Sequence, residues 1–191
     1  MEENEIESGR REQVLTAALL TFARYGYRKT SMEDVARAAE ISRPGLYFLF
    51  ESKQKLFRAA VVQALEADVD AARRSLTDRQ RPLRDRLIEA FDRWTGRYIG
   101  PMATEVAVLR ETNPELLGSI VVDYPARFLE LVTAAVAADL PPARAGMAAD
   151  VARTLVSTAR GIKDEVTTRE EFVARLTVGV DLFVAAIGHP G

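Results

Sequence analysis

The sequence predicts an all-α fold of about nine helices, and three observations carry that expectation. Apolar residues recur at three- and four-residue steps along nearly the whole chain, the spacing of a helix with one buried face. No stretch sustains the alternation of β-branched residues that a half-buried strand needs, and Gly-rich hairpin turns are missing. Helix starts are marked repeatedly. Ser31 with Asp34, and Thr168 with Glu171, have capping-box spacing, and Asn113-Pro114-Glu115 sets an N-cap before a first-turn proline and acid.

In chain order, residues 1–9 form a flexible acidic start and the first helix runs from Arg10 to Tyr25. Val14, Leu15, Ala18, Leu19 and Phe22 make its apolar stripe, and Gly26 stops it. The second helix spans Met32 to Ala39, Glu40-Ile41 turns the chain, and a short third helix runs from Ser42 to about Phe48. Ser52 caps a fourth that continues past Leu56 and Leu65 towards Arg74. After a polar loop, Pro82 opens a fifth helix reaching about Tyr98, which Gly100-Pro101 ends. A sixth spans Met102 to about Glu111. The seventh starts at Asn113, kinks or restarts at Pro125, and ends near Ala138. Pro141-Pro142 precedes an eighth ending near Asp164, and Thr168 opens a ninth ending near Ile187. The expected domains are a three-helix unit over residues 10–58 and a larger helical domain over 59–191.

The 191 residues contain no cysteine, which excludes a thiol nucleophile and a zinc finger and fits a reducing compartment. The acidic start lacks the basic and apolar regions of a secretion signal. No apolar run approaches the ~20 residues of a membrane helix. A cytoplasmic protein without membrane contact is the expectation. The net charge of −2 hides an uneven distribution: −4 over residues 1–7, +5 over 8–58 and −3 over the remainder. A basic first third in an acidic chain directs nucleic acid to that third.

Residues 26–57 read GYRKTSMEDVARAAEISRPGLYFLFESKQKLF. Two short helices joined by a tight turn, with a further helix beside them, describe a helix-turn-helix. The third helix is too short to build a core alone and is useful mainly if its exposed side enters a major groove. Ser42 heads it. Arg43 can donate two hydrogen bonds to a guanine edge, Pro44 can pack on a thymine methyl, and Gly45 permits close backbone approach. Thr30, Ser31, Tyr47 and Lys53 supply donors near helix ends, where phosphates are favoured. Leu46 and Phe50 are read as core.

The segment resembles the DNA-binding domain of the tetracycline-repressor (TetR) family. The matching residues are Phe22, Gly26 and Tyr27 at the end of the first helix, and Thr30-Ser31, Val35-Ala36 and Ala39 in the second. Ile41-Ser42 matches at the turn, then Leu46-Tyr47, Phe50, Ser52-Lys53 and Leu56. The resemblance covers roughly residues 10–58. It implies a dimeric regulator that binds an inverted-repeat operator in double-stranded DNA and responds to a small-molecule effector. By position it puts Arg43, Pro44 and Gly45 on bases and Tyr47 and Lys53 on the backbone. Two residues depart from the pattern. Glu40 stands where the family often has Gly, and Leu49 where a His or aromatic often meets phosphate.

The larger domain shows no catalytic constellation. Its one histidine, His189, lies near the end of the sequence, and it has no His or Cys metal cluster or Gly-rich phosphate loop. Neither catalysis, a metal nor a cofactor is expected. Phe91, Trp94, Tyr98 and Met102 recur at helical spacing around the fifth helix, with Arg97, Glu105, Tyr124 and Phe128 as further candidates for a ligand pocket. Ordinary core is the competing reading of that stripe, and the resemblance raises the pocket. In the last two helices Val151, Leu155, Ile162, Leu176, Val180, Phe183 and Ile187 lie among small residues that permit close helix approach. The resembled family uses these two helices as a four-helix dimer interface. Two rival functions remain at this point, a small all-α enzyme and a helical protein–protein adaptor. A turnover assay or a loss of all DNA affinity at low salt separates them.

Overall fold

The structure is a computed structural model that describes residues 2–99 and 114–188. Every regular element among the described residues is helical. The chain divides into two compact units, residues 1–66 with 101–120 and residues 67–100 with 121–191.

The first unit contains α1 (Glu2–Tyr25), α2 (Met32–Ala38), α3 (Arg43–Leu49), the start of α4 (Lys53–Thr77) and the single turn α6 (Pro114–Leu117). Helix α1 begins at Glu2, so residues 2–9, expected as a flexible tail, are helical. Acidic residues at a helix start are favoured by the positive end of its dipole, a factor the tail assignment overlooked. Gly26 (φ +80) stops α1 as expected, its amide donating to Phe22 O at 2.9 Å. The core is built from Val14, Ala18 and Phe22 of α1, Val35 of α2, Leu46 of α3 and its C-cap Phe50, and Leu56 and Phe57 of α4, all buried. Phe22 meets Phe57 edge-on at 5.1 Å, a geometry that adds to simple area burial. Arg58 ties α6 to this core by donating to Leu117 O at 2.6 Å.

The second unit holds the rest of α4, α5 (Leu83–Trp94), α7 (Ile120–Asp139), α8 (Ala148–Glu165), α9 (Arg169–Gly188) and two short 3-10 turns, Gly96–Tyr98 and Pro142–Met147. Helix α8 buries Ala148, Ala152, Leu155, Ala159 and Ile162, a strict three-and-four spacing. They pack with Phe91, Phe128, Phe172, Leu176 and Val180 into one core. Thr168 Oγ1 accepts from Glu171 N at 3.2 Å, as the capping box predicts, but the Glu171 carboxylate reaches back to Thr167 N rather than to Thr168.

Two boundaries differ from expectation. Helix α5 ends at Trp94 rather than near Tyr98, because Thr95-Gly96 are weak helix formers and the chain tightens into a 3-10 turn there. Of the kink or restart expected at Pro125, the restart comes earlier, after Gly118 (φ +54), and Pro125 sits inside α7. The left-handed conformation at Gly118 ends α6, which a proline five residues into a helix does not require.

A cationic side chain is buried in the second unit. Arg86 is 2% exposed and donates to Leu76 O at 2.8 Å, to Arg81 O at 3.1 Å and to Asp139. Its guanidinium thereby satisfies a last-turn carbonyl of α4 and the loop that follows.

Candidate nucleic-acid interface

The site is assembled by caps. Ser31, in the extended conformation before α2, accepts from Asp34 N at 3.1 Å, and its own amide donates to the Asp34 carboxylate at 2.9 Å. The Ser31 hydroxyl also donates to Asp34 Oδ2 at 2.6 Å, and these bonds hold that carboxyl below the ordinary aspartate range. At the other end of α2 the amide of Ile41 donates to Ala36 O at 3.0 Å and that of Glu40 to Arg37 O at 3.2 Å. This is a Schellman motif with Glu40 at its left-handed position, φ +54. The strain expected from a non-Gly residue at Glu40 is present. Ser42 then accepts from Gly45 N at 3.1 Å, and Pro44 sits in the first turn of α3, where its missing amide costs nothing. Ser52 caps α4 in the same way, accepting from Lys55 N at 3.1 Å.

The seven residues of α3 divide cleanly. Leu46 and the C-cap residue Phe50 are buried, and Leu49 packs at the edge of the same core. Ser42, Arg43, Pro44 and Tyr47 face solvent. Arg43 lies 3.9 Å from Glu33 and 5.8 Å from the Tyr47 ring. Both carboxylate and guanidinium are well exposed, so that pairing is weak and the arginine exchanges it readily for another acceptor. Phe48 is 84% exposed, a feature the sequence reading left unassigned. The helical period contains the signal: if 46 and 50 are inward, 47 and 48 point away.

Three expected DNA contacts are otherwise engaged. Thr30 is 2% exposed and its hydroxyl donates to Gly26 O at 2.8 Å, so it stabilises the turn after α1 and is not presented to a phosphate. The hydroxyl of Ser31 is committed to Asp34. Lys53 is half-buried as a residue, its ammonium lies 4.4 Å from the Tyr27 ring and 3.4 Å from Arg28 O, and desolvation lowers its pKa.

In the second unit Phe91, Trp94 and Phe128 come together: Trp94 stacks on Phe128 at 4.9 Å, and Phe91 meets Phe128 edge-on at 5.1 Å. Tyr98 is tied to α4 by its hydroxyl, which donates to Asp68, and Asp68 also accepts from Arg97. Asp68 is 1% exposed. Burial raises its pKa against the opposing pull of Tyr98 and Arg97, and raises that of Tyr98 too. Sequence reasoning missed Asp68, because a lone aspartate inside a helix gives no sign of burial. Tyr124 is buried, with Arg127 over its ring at 5.0 Å. Met102 and Glu105 lie outside the described residues. Of the residues expected at a subunit interface, Leu155, Ile162, Leu176 and Val180 are already buried within one chain, while Val151 and Phe183 are half-buried. Ile187 falls where side chains are not described. Among the described residues, the large apolar side chains that α9 exposes are Val178 (61%) and Leu182 (68%).

Among the described residues no group of His, Asp and Glu could hold a metal, and no helix is long and apolar enough to cross a membrane.

Residues 14–60 match the family model described as bacterial regulatory proteins, tetR family, which bears out the resemblance read from residues 10–58. The chain is 36% identical over 59 residues to the HTH-type transcriptional regulator RutR of Escherichia coli, covering 31% of this chain and 28% of RutR. It is 39% identical over 85 residues to the HTH-type transcriptional activator FasR of Mycolicibacterium smegmatis, covering 43% of this chain and 38% of FasR. The matched segments thus span well under two thirds of either relative. In fold, a TetR transcription regulator from Haloarcula marismortui superposes with a TM-score of 0.72 at 15% identity, over 94% of this chain and 98% of that one.

Proposed function

We propose, for a chain whose residues 14–60 carry the tetR-family domain and whose fold is shared with a regulator of that kind, that it is a DNA-binding transcriptional regulator. The observation that carries this reading is the first turn of α3. Its cap is satisfied from within, its buried side is locked by Leu46 and Phe50, and its exposed side offers Arg43, Pro44, Gly45 and Tyr47. A short helix anchored on one face and donor-rich on the other fits a major groove about 12 Å wide. Arg43 reads a guanine, and Tyr47 and Ser42 meet the flanking backbone. Lys53 contributes charge and holds the turn after α1 through Arg28 O and Tyr27.

The protein acts as a homodimer on an inverted repeat in the cytoplasm. Two α3 helices then enter successive major grooves about 34 Å apart. Val178 and Leu182 on α9, with the half-buried Phe183 and Val151, form the self-complementary face. Leu155, Ile162, Leu176 and Val180 support it from beneath. A small apolar or aromatic effector binds in the second unit beside Phe91, Trp94 and Phe128, with Tyr98 and Tyr124 contributing. Its binding favours a state whose α3 helices miss the half-sites, so the protein represses until the effector arrives.

Selection of binding sites from a random duplex library tests this reading, followed by the stoichiometry of the selected complex. The expected result is a two-fold symmetric consensus bound by two chains. Recovery of unselected, asymmetric sequence bound with no preference overturns it.

A further inference from the structure

Phe48 is the most exposed large apolar side chain among the described residues, at 84%, and it stands on α3 beside Tyr47, itself 42% exposed. Fully burying such a ring recovers a substantial hydrophobic free energy, so Phe48 and Tyr47 together on one seven-residue helix present an apolar surface that a partner can cover. Its own unit does not supply one. Leu46 and Phe50 hold the inward side, and Phe48 falls on the outward side with Arg43, Pro44 and Tyr47.

We infer that Phe48 reads thymine, by packing its ring against the C5-methyl groups of thymines next to the base pair that Arg43 contacts. The inference rests on the proposed DNA-binding reading and adds a residue and a base to it. Charge identifies the occupant. Residues 8–58 carry a net +5, and Arg28, Lys29, Arg37, Arg43 and Lys55 are solvent-facing within the same unit. A polyanion therefore covers this surface more readily than a second copy of the same basic segment, which would bring like charges together. On the major-groove floor of duplex DNA the apolar feature is the thymine methyl. A phenyl ring has no donor for a phosphate and no hydrogen bond for a base edge. Of the groove's features, only that methyl rewards it. Phe48 is accordingly a specificity-determining residue whose contribution is A·T preference flanking the guanine.

Replacing thymine by deoxyuridine, which removes only the methyl, tests this directly. The duplex used is the consensus selected by the wild-type protein from an unmodified library. Wild type is expected to lose about fourfold in affinity for each contacted methyl removed. Phe48→Ala should bind the unmodified duplex more weakly, and removing the methyls should cost it nothing further. Because Phe48 is solvated, the variant should keep its circular dichroism spectrum, thermal midpoint and sedimentation coefficient. Wild-type binding indifferent to deoxyuridine, or the same deoxyuridine penalty in both proteins, overturns the assignment of Phe48 and leaves DNA binding standing. A change in oligomeric state on Phe48→Ala assigns the ring to a contact between copies and also overturns it. Failure to select any duplex rejects the DNA-binding reading, and this inference with it.

Discussion

Replacing Glu40 by glycine should stabilise the protein, against the usual direction of a glycine substitution. Glu40 holds φ +54 at the left-handed position of the Schellman motif that ends α2. An L-residue there costs roughly 1–2 kcal/mol, because Cβ crowds the adjoining carbonyl. Glycine removes that cost but returns about 0.4–1 kcal/mol through the greater freedom of the unfolded chain. The two hydrogen bonds of the motif, Ile41 N to Ala36 O at 3.0 Å and Glu40 N to Arg37 O at 3.2 Å, are backbone bonds and survive the change. The net expectation is ~0.5–1 kcal/mol of added stability, read as a higher urea midpoint at unchanged slope, or a thermal midpoint up by about 1–4 °C. Glu40→Ala is the control. It removes the same charge and keeps the strain, so its midpoint should stay close to wild type. Equal stabilisation by alanine and glycine would refute the backbone argument and assign the gain to the lost charge.

Further outcomes follow from the same geometry. Arg43→Ala should cost ~1–3 kcal/mol of discrimination at one base position, while Lys53→Ala should weaken all sequences alike and flatten the salt dependence by about one unit; comparative selection and salt titration check both. Leu155→Glu should unfold the second unit, since Leu155 is 1% exposed, whereas Leu182→Glu, at a 68% exposed residue, should leave a folded monomer; circular dichroism with sedimentation separates the two. The folded pKa of Asp68 lies above the ordinary 3.8, so its contribution is fully present below 3.8 and is lost as pH rises through the raised value. Asp68→Asn should therefore gain on wild type across that interval, and a urea-unfolding difference that is flat or falls with pH contradicts the sign. Trp94 stacks on Phe128, so an effector bound at these rings should change tryptophan fluorescence over the same concentrations that release DNA; a bound structure with the molecule remote from Trp94 rejects that placement.

The caps and the inward residues of the first unit were legible because they depend on neighbours in sequence. Ser31 with Asp34, Ser42 and Ser52 each satisfy backbone amides three residues on, and Leu46 and Phe50 are one helical turn apart. The boundary at Gly118 was hidden by Pro125, a stronger formal breaker that α7 nevertheless accommodates. Burial of charge was illegible for a different reason. Arg86 and Asp68 are held by Leu76 O, Asp139, Arg97 and Tyr98, partners 10 to 53 positions away, and local pattern contains nothing of them. The same limit applied to the last two helices, where an apolar stripe on α8 or α9 looks alike whether it faces its own chain or another. Leu155 and Val180 are buried within the chain, and the large apolar side chains that α9 exposes among the described residues are Val178 and Leu182.

The central claim is that the first turn of α3 occupies a major groove, and guanine methylation protection measures that most directly. Dimethyl sulfate modifies guanine N7, an atom that only the major groove exposes. On the selected duplex, wild type should protect one guanine in each half-site, and Arg43→Ala, at concentrations that still occupy the duplex, should leave those two guanines reactive while other protections persist. Guanines equally reactive with and without wild-type protein at full occupancy, or protection unchanged by Arg43→Ala, would contradict the account.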